Sequence, residues 1–169
     1  MLEIIKEDYK RAELYMSLAI SYLKLQDFER GTEYFERATK VRRRFNDNTG
    51  ISIDYKRFGD FYVSKQEYSK AMEYYGEAIR INPDFAAAHY FLGVLLDGLK
   101  RHDEAEKEYR EAIRINPDLA EAHANLGTLL LEIERPEEAK KEFEIAKELF
   151  ENQGREADVK KVEELLADT

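Results

Sequence analysis

Along residues 120–153 the apolar positions fall on two successive helical faces. Leu126, Leu130 and Leu131 mark one, and Ala139, Phe143, Ala146 and Phe150 mark the other. Between them stands a polar turn, Glu134-Arg135-Pro136, whose proline suits the first turn of a helix. The same alternation recurs upstream around the polar turns Gln66-Glu67 and Lys100-Arg101-His102. Each block therefore predicts a helical hairpin. The period is explicit in the text: AIRINPDFAAAHYFLG at 78–93 returns as AIRINPDLAEAHANLG at 112–127, with twelve of sixteen positions identical at an offset of 34. Counting back from Pro83 and Pro117 gives units at 52–85, 86–119 and 120–153. Asn82 and Asn116 stop the preceding helix, because proline disfavours the α conformation of the residue before it. Asp84 and Asp118 are then placed to cap the next helix, and Asp118 with Glu121 has capping-box spacing. A lone hairpin cannot bury its apolar face, so the units depend on stacking.

Small residues carry a second signal. Gly59, Gly93 and Gly127 share one repeat position, Ala71, Ala105 and Ala139 another, and Ala78, Ala112 and Ala146 a third. Glycine inside a helix costs about 1 kcal/mol relative to alanine, so its recurrence predicts a compensating close approach of helices. Phe58, Leu92 and Leu126 precede the glycines, and Tyr75, Tyr109 and Phe143 follow the first set of alanines by four residues.

These residues closely resemble the tetratricopeptide repeat, a pattern of an aromatic, Leu-Gly, a large residue, Ala, an aromatic, Ala and Pro over 34 residues. Tyr55, Phe58, Gly59, Tyr62, Ala71, Tyr75, Ala78 and Pro83 carry it in one unit, and His89, Leu92, Gly93, Leu96, Ala105, Tyr109, Ala112 and Pro117 in the next. The last unit has Glu151 in place of the proline. An altered unit precedes them at 12–45, with Gly31 where alanine is usual and Arg43 where proline is usual. The extra FNDNTGI stretch resembles the longer variant of the family, and Asn46 is suited to a left-handed cap, as is Gly154 eight residues after Ala146. Residues 155–169 form a final solvating helix through Val159, Val162, Leu165 and Leu166, while residues 1–11 extend the first helix with Leu2, Ile4 and Ile5 unplaced in the repeat core. The resemblance implies an all-α fold, a right-handed superhelical solenoid of antiparallel helix hairpins, as a single domain over residues 1–169.

Composition narrows the functional classes. With 43% hydrophobic and 37% charged residues the chain folds and presents a well-solvated surface. A formal charge of -9 opposes binding to a phosphate backbone, so no nucleic acid is expected. No stretch reaches the ~18 apolar residues of a membrane span, and the N-terminus lacks the pattern of a signal peptide. A cytoplasmic location is expected. Zero cysteines leave no disulfide framework and no thiolate chemistry.

No reaction chemistry emerges. His89 and His123 recur at one repeat position, but they stand where an aromatic is usual and no acidic or cysteine partner is evident beside them, so a packing role is expected rather than a metal. His102 is expected in a solvated turn. Ser21-Tyr22-Leu23-Lys24 matches the short S-x-x-K pattern without its companion motifs. Carboxylate pairs such as Glu137-Glu138 and Glu163-Glu164 lie among lysines on solvated faces. No enzyme activity, cofactor or metal is expected.

The resemblance implies a concave groove, lined by the first helix of each hairpin, that holds a peptide or helix of another protein. By repeat position its candidates are Met16, Ile20, Leu23 and Lys24, then Ile53, Lys56, Arg57, Asp60 and Val63, then Tyr90, Phe91, Val94 and Asp97, and finally Glu121, Asn125, Thr128 and Glu132. Lys56, Arg57, Tyr90 and Phe91 are the expected anchors, since Arg and aromatic side chains carry much of the energy in such surfaces. Some family members grip a chaperone C-terminal tail with Lys, Asn and Arg at set places. In one frame those places hold Met16, Ile20, Arg57, Ala87 and Phe91 here, and in the other Lys56, Asp60, Phe91, Glu121 and Asn125. Neither makes the clamp, and no strong binding of such a tail is expected. Self-association through an apolar N-terminal face is the alternative reading.

Overall fold

Four residues with left-handed backbone close the hairpins: Gln26, Gln66, Lys100 and Glu134, with φ of 63, 61, 60 and 59°. Their surroundings explain why a side chain is accepted there. In each turn the next residue donates its N–H back five positions, Asp27 to Tyr22 O at 2.9 Å, Glu67 to Tyr62 O at 2.9 Å, Arg101 to Leu96 O at 3.0 Å and Arg135 to Leu130 O at 2.8 Å. This is the Schellman closure, which satisfies carbonyls the helix end leaves open and usually employs glycine. Asn46, at φ 52°, and Gly154, at φ 70°, close their helices in the same way, as expected.

The computed structural model describes residues 2–167, with side chains from residue 6 onward. Among them are nine helices: α1 (Leu2–Lys24), α2 (Phe28–Arg43), α3 (Asn48–Ser64), α4 (Tyr68–Ile81), α5 (Ala86–Gly98), α6 (His102–Ile115), α7 (Ala120–Glu132), α8 (Pro136–Asn152) and α9 (Glu156–Ala167). The chain divides into two compact units, Met1–Pro83 and Asp84–Thr169. The first holds the hairpins α1–α2 and α3–α4. The second holds α5–α6 and α7–α8, with α9 packed on α8. α1 runs unbroken from Leu2, so residues 2–11 do extend the first helix; the side chains of Leu2, Ile4 and Ile5 lie outside the described residues.

Starts and stops follow local chemistry. Asn82 and Asn116 adopt extended backbone ahead of their prolines. Pro136 opens α8. The expected caps at Asp84 and Asp118 are corrected: the cap residues are Phe85 and Leu119, one position later, and neither helix has a side-chain cap bond. Asp118 belongs instead to the turn, where its N–H meets Asn116 Oδ1 at 3.3 Å. Side-chain caps occur at Asp27, which accepts from Arg30 N–H at 3.0 Å, and at Asp47, which accepts from Gly50 N–H at 2.8 Å.

Inside each hairpin the recurrent glycine receives an aromatic ring. A Cβ at Gly59 would stand 2.5 Å from Tyr75, at Gly93 2.8 Å from Tyr109, and at Gly127 2.7 Å from Phe143. The first hairpin exchanges the roles. Its small residue, Gly31, is on the second helix, and Leu23 of α1 fills the space a Cβ would take at 2.6 Å.

A second cross-helix pair is written in two chemistries. At the fourth and twenty-third repeat positions the first unit pairs tyrosines, Tyr15 with Tyr34 at 5.9 Å and Tyr55 with Tyr74 at 6.1 Å between ring centroids. The second unit places His89 Nδ1 2.7 Å from Glu108 and His123 Nδ1 2.6 Å from Glu142. The sequence reading missed these acidic partners because they stand nineteen residues away. The packing role expected of the histidines holds, for both are buried.

The glycines separate into tight and open sites, which predicts opposite outcomes for one substitution. Gly127→Ala should lose about 1–2 kcal/mol, because overpacking of about 1–3 kcal/mol exceeds the gain in helix propensity. Gly76 has nothing within 4 Å of an added Cβ, and Gly76→Ala should gain about 0.5–1 kcal/mol. Urea unfolding of both variants reads the difference.

Candidate binding faces of the two units

The open face of the first unit lies between α1 and α3. Glu13, Met16, Ser17, Ile20, Ser21 and Lys24 come from α1, and Arg57, Asp60, Phe61 and Ser64 from α3, around a groove of about 580 Å³. On each helix these positions recur at three- and four-residue spacing, so they form one stripe. Ser17 and Ser21 turn their hydroxyls onto backbone carbonyls one turn back, at 2.9 and 2.8 Å. That leaves Ile20, Lys24 and Arg57 as the groups best placed to meet a ligand.

A buried ionic cluster fixes one wall of this groove. Arg42 of α2 is nearly enclosed and donates to Asp54 Oδ2 at 2.7 Å and to Asp47 Oδ2 at 3.0 Å, and its other terminal nitrogen pairs with Glu13. Glu13 also accepts from Arg57 at 3.0 Å. Asp54 is 0% exposed, and burial pushes its carboxyl up to about 6 against the pull of Arg42. Burial opposes the charge on Glu13 as well, but Arg57 and Arg42 outweigh it and hold Glu13 below the ordinary carboxylate range. The six-residue extension thus has a structural purpose: its Asp47 caps α3 and completes the shell around Arg42.

Several expected groove residues sit differently. Met16 and Leu23 are 1% and 0% exposed, with Leu23 packed over Gly31, so they are core or groove floor rather than ligand contacts. Ile53 and Lys56 fall outside the groove lining, and Lys56 pairs with Asp60 at 2.9 Å. Asp60 also accepts from Tyr75 Oη at 2.9 Å, so burial and this carboxylate together raise the tyrosine's pKa. The residues missed on this face, Glu13, Ser17, Ser21, Phe61 and Ser64, share its helical stripe with Ile20 and Arg57. Helical spacing from Ile20 and Arg57 could have found them.

In the second unit, Tyr90 lies between two recesses. On one side Ala86, Ala87, Phe91, Asn116, Leu119 and Glu121 join it around about 380 Å³. On the other, Asn125 and Thr128 of α7 face Asp158, Lys161 and Leu165 of α9 around about 240 Å³. The final helix therefore contributes a wall, beyond the solvating role expected of it. Arg155, ahead of α9, pairs with Glu121 and with Asp158 at 2.8 Å, and lies over the Phe150 ring at 4.5 Å. Asn125 Nδ2 donates to Tyr90 Oη at 3.2 Å, and burial followed by Glu121 raises the tyrosine's pKa. Phe91 meets Tyr90 edge-on at 5.0 Å, while Val94 is exposed. Asp97 lies apart from both recesses, at the hairpin tip with His102, which is half-buried rather than solvated.

Models of the tetratricopeptide repeat match residues 10–84, 57–120 and 98–161. No curated protein matches the chain. Among solved structures, MamA of AMB-1 is 30% identical over 83% of this chain and 73% of that one, with a TM-score of 0.61. Another MamA crystal structure is 24% identical, covers 90% and 86%, and has a TM-score of 0.68. The first tetratricopeptide domain of Spaghetti (RPAP3), bound to the HSP90 peptide SRMEEVD, is 23% identical over 69% and 93%, with a TM-score of 0.59. No helix among the described residues is long and apolar enough to cross a membrane.

The Arg42 cluster generates a stability prediction. Asp54→Ala removes one partner of a buried ion pair and should cost about 3–5 kcal/mol. Denaturant unfolding against the parent measures it, and a loss below about 1 kcal/mol would place the pair among surface-like bridges.

Proposed function

The chain belongs to the tetratricopeptide repeat family, and from that premise we propose that it is a non-catalytic scaffold that holds a peptide or helix of a partner protein on the open faces of its units. The observation that carries this reading is the α1–α3 groove, where Ile20, Lys24 and Arg57 line an accessible space without serving the repeat core. An apolar side chain of the ligand would seat on Ile20 and Phe61, and a carboxylate or carbonyl would meet Lys24 or Arg57. In the second unit Tyr90 and Phe91 supply the aromatic surface, with Asn125 orienting the Tyr90 hydroxyl. Related folds that hold a peptide of another protein, such as the Spaghetti domain with its HSP90 peptide, support the reading by analogy of fold.

The chaperone-tail clamp is absent from this proposal. Of the places that would hold it, Met16 is buried and Lys56 is engaged with Asp60, while Asp60 and Glu121 would repel paired carboxylates.

Two outcomes are expected. A partner recovered with the full chain should bind Ile20→Ser and Lys24→Glu at least about tenfold more weakly, with unchanged helical circular dichroism, and Tyr90→Ala should weaken binding likewise. Retention of full affinity by all three variants would remove the groove from consideration. Separately, titration with the peptide SRMEEVD should give no binding in the micromolar range or tighter; a saturable micromolar isotherm would contradict the assignment of these positions.

A further inference from the structure

At the tip of the α5–α6 hairpin the repeat departs from itself. The twelfth repeat position is Leu23, Val63 and Leu131 in three hairpins but Asp97 in the α5–α6 one. The seventeenth is Phe28, Tyr68 and Pro136 elsewhere but His102 here. Two positions that tolerate apolar residues have become polar together, so repeat packing does not require either. The left-handed turn at Lys100 folds α6 back so that His102 Nδ1 stands 3.3 Å from Asp97 Oδ1. Both atoms are shielded from solvent and neither makes a hydrogen bond among the described residues. Their contact with each other falls short of hydrogen-bond geometry, and under-satisfied enclosed polar atoms cost about 1–3 kcal/mol each, so this juxtaposition invites a ligand. Glu132, the last residue of α7, completes the group, its Oε2 3.9 Å from His102 Nε2, the ring nitrogen that does not face Asp97.

We infer that Asp97, His102 and Glu132 bind a divalent transition-metal ion of the zinc type. One donor atom from each residue lies within 4.8 Å of the other two. Tetrahedral zinc, with bonds of about 2.0–2.2 Å, separates its donors by about 3.3–3.6 Å, so side-chain adjustment alone closes the set. An imidazole with two carboxylates suits zinc better than calcium or magnesium, which prefer oxygen. The electrostatics agree. Asp97 and Glu132 stand at the C-terminal ends of α5 and α7, where helix dipoles add negative potential and favour a cation. Lys100 Nζ, 2.8 Å from Glu132 Oε2, supplies that charge from an exposed position, and the metal displaces it. Three protein ligands leave a fourth coordination position to water or to a partner's side chain.

Zinc chloride titrated into the full chain tests this by calorimetry and thermal unfolding. Expected are one ion per chain at micromolar or tighter affinity and a rise in Tm, with no such response to magnesium or calcium. His102→Tyr and Asp97→Leu carry residues found at these positions in other hairpins, so they retain the fold and should lose the ion. Glu132→Gln, at an exposed position, should weaken binding at least about tenfold. Absence of stoichiometric zinc binding by the parent chain, or undiminished binding by folded His102→Tyr, would overturn the site.

Discussion

An aromatic ring laid against the bare backbone of a glycine is the contact on which the hairpins of this protein depend. Gly59, Gly93 and Gly127 each lie in the middle of a helix, where their conformational freedom is a liability of about 1 kcal/mol. Each is covered by Tyr75, Tyr109 or Phe143 so closely that even a methyl group would collide. The ring then replaces water over the helix, and the two helices approach at a fixed height. The first hairpin keeps the contact and reverses its direction, with Leu23 entering above Gly31. What matters physically is one small residue opposite one large one; which helix bears which is secondary.

Around that contact the two units differ in how they join the same pair of positions. Tilted tyrosine pairs in the first unit are apolar ring contacts, whereas the His–Glu pairs of the second are directional hydrogen bonds. The Arg42 cluster adds another fixed point to the first unit. It ties α2 to α3 through Asp54, and to α1 through Glu13, so the groove wall is held by charge as well as by packing.

Much of this was legible from residue spacing, because helix period, proline stops and the glycine–aromatic pattern are local or strictly periodic. Asn46 and Gly154 as left-handed caps were readable for the same reason. The left-handed Gln26, Gln66, Lys100 and Glu134 were not, since nothing in their side chains favours that backbone and only the closing hydrogen bonds impose it. The binding faces were half legible. Ile20, Arg57, Tyr90 and Asn125 line the recesses of their units, yet Met16 and Leu23 are enclosed, because repeat position gives a helical face without saying how far the neighbouring helix covers it.

The sequence by itself determined the repeat period and the family, since these follow from interactions repeated at a constant spacing, while α3 begins at Asn48, four residues ahead of the unit start expected at 52. Contacts between residues with no common period were decided by the tertiary structure alone. Arg42 reaches Glu13 across 29 residues, and Asp97, His102 and Glu132 converge from the ends of three helices. Such meetings depend on side-chain reach and on how stacked helix ends align, quantities that hydrophobic periodicity does not encode.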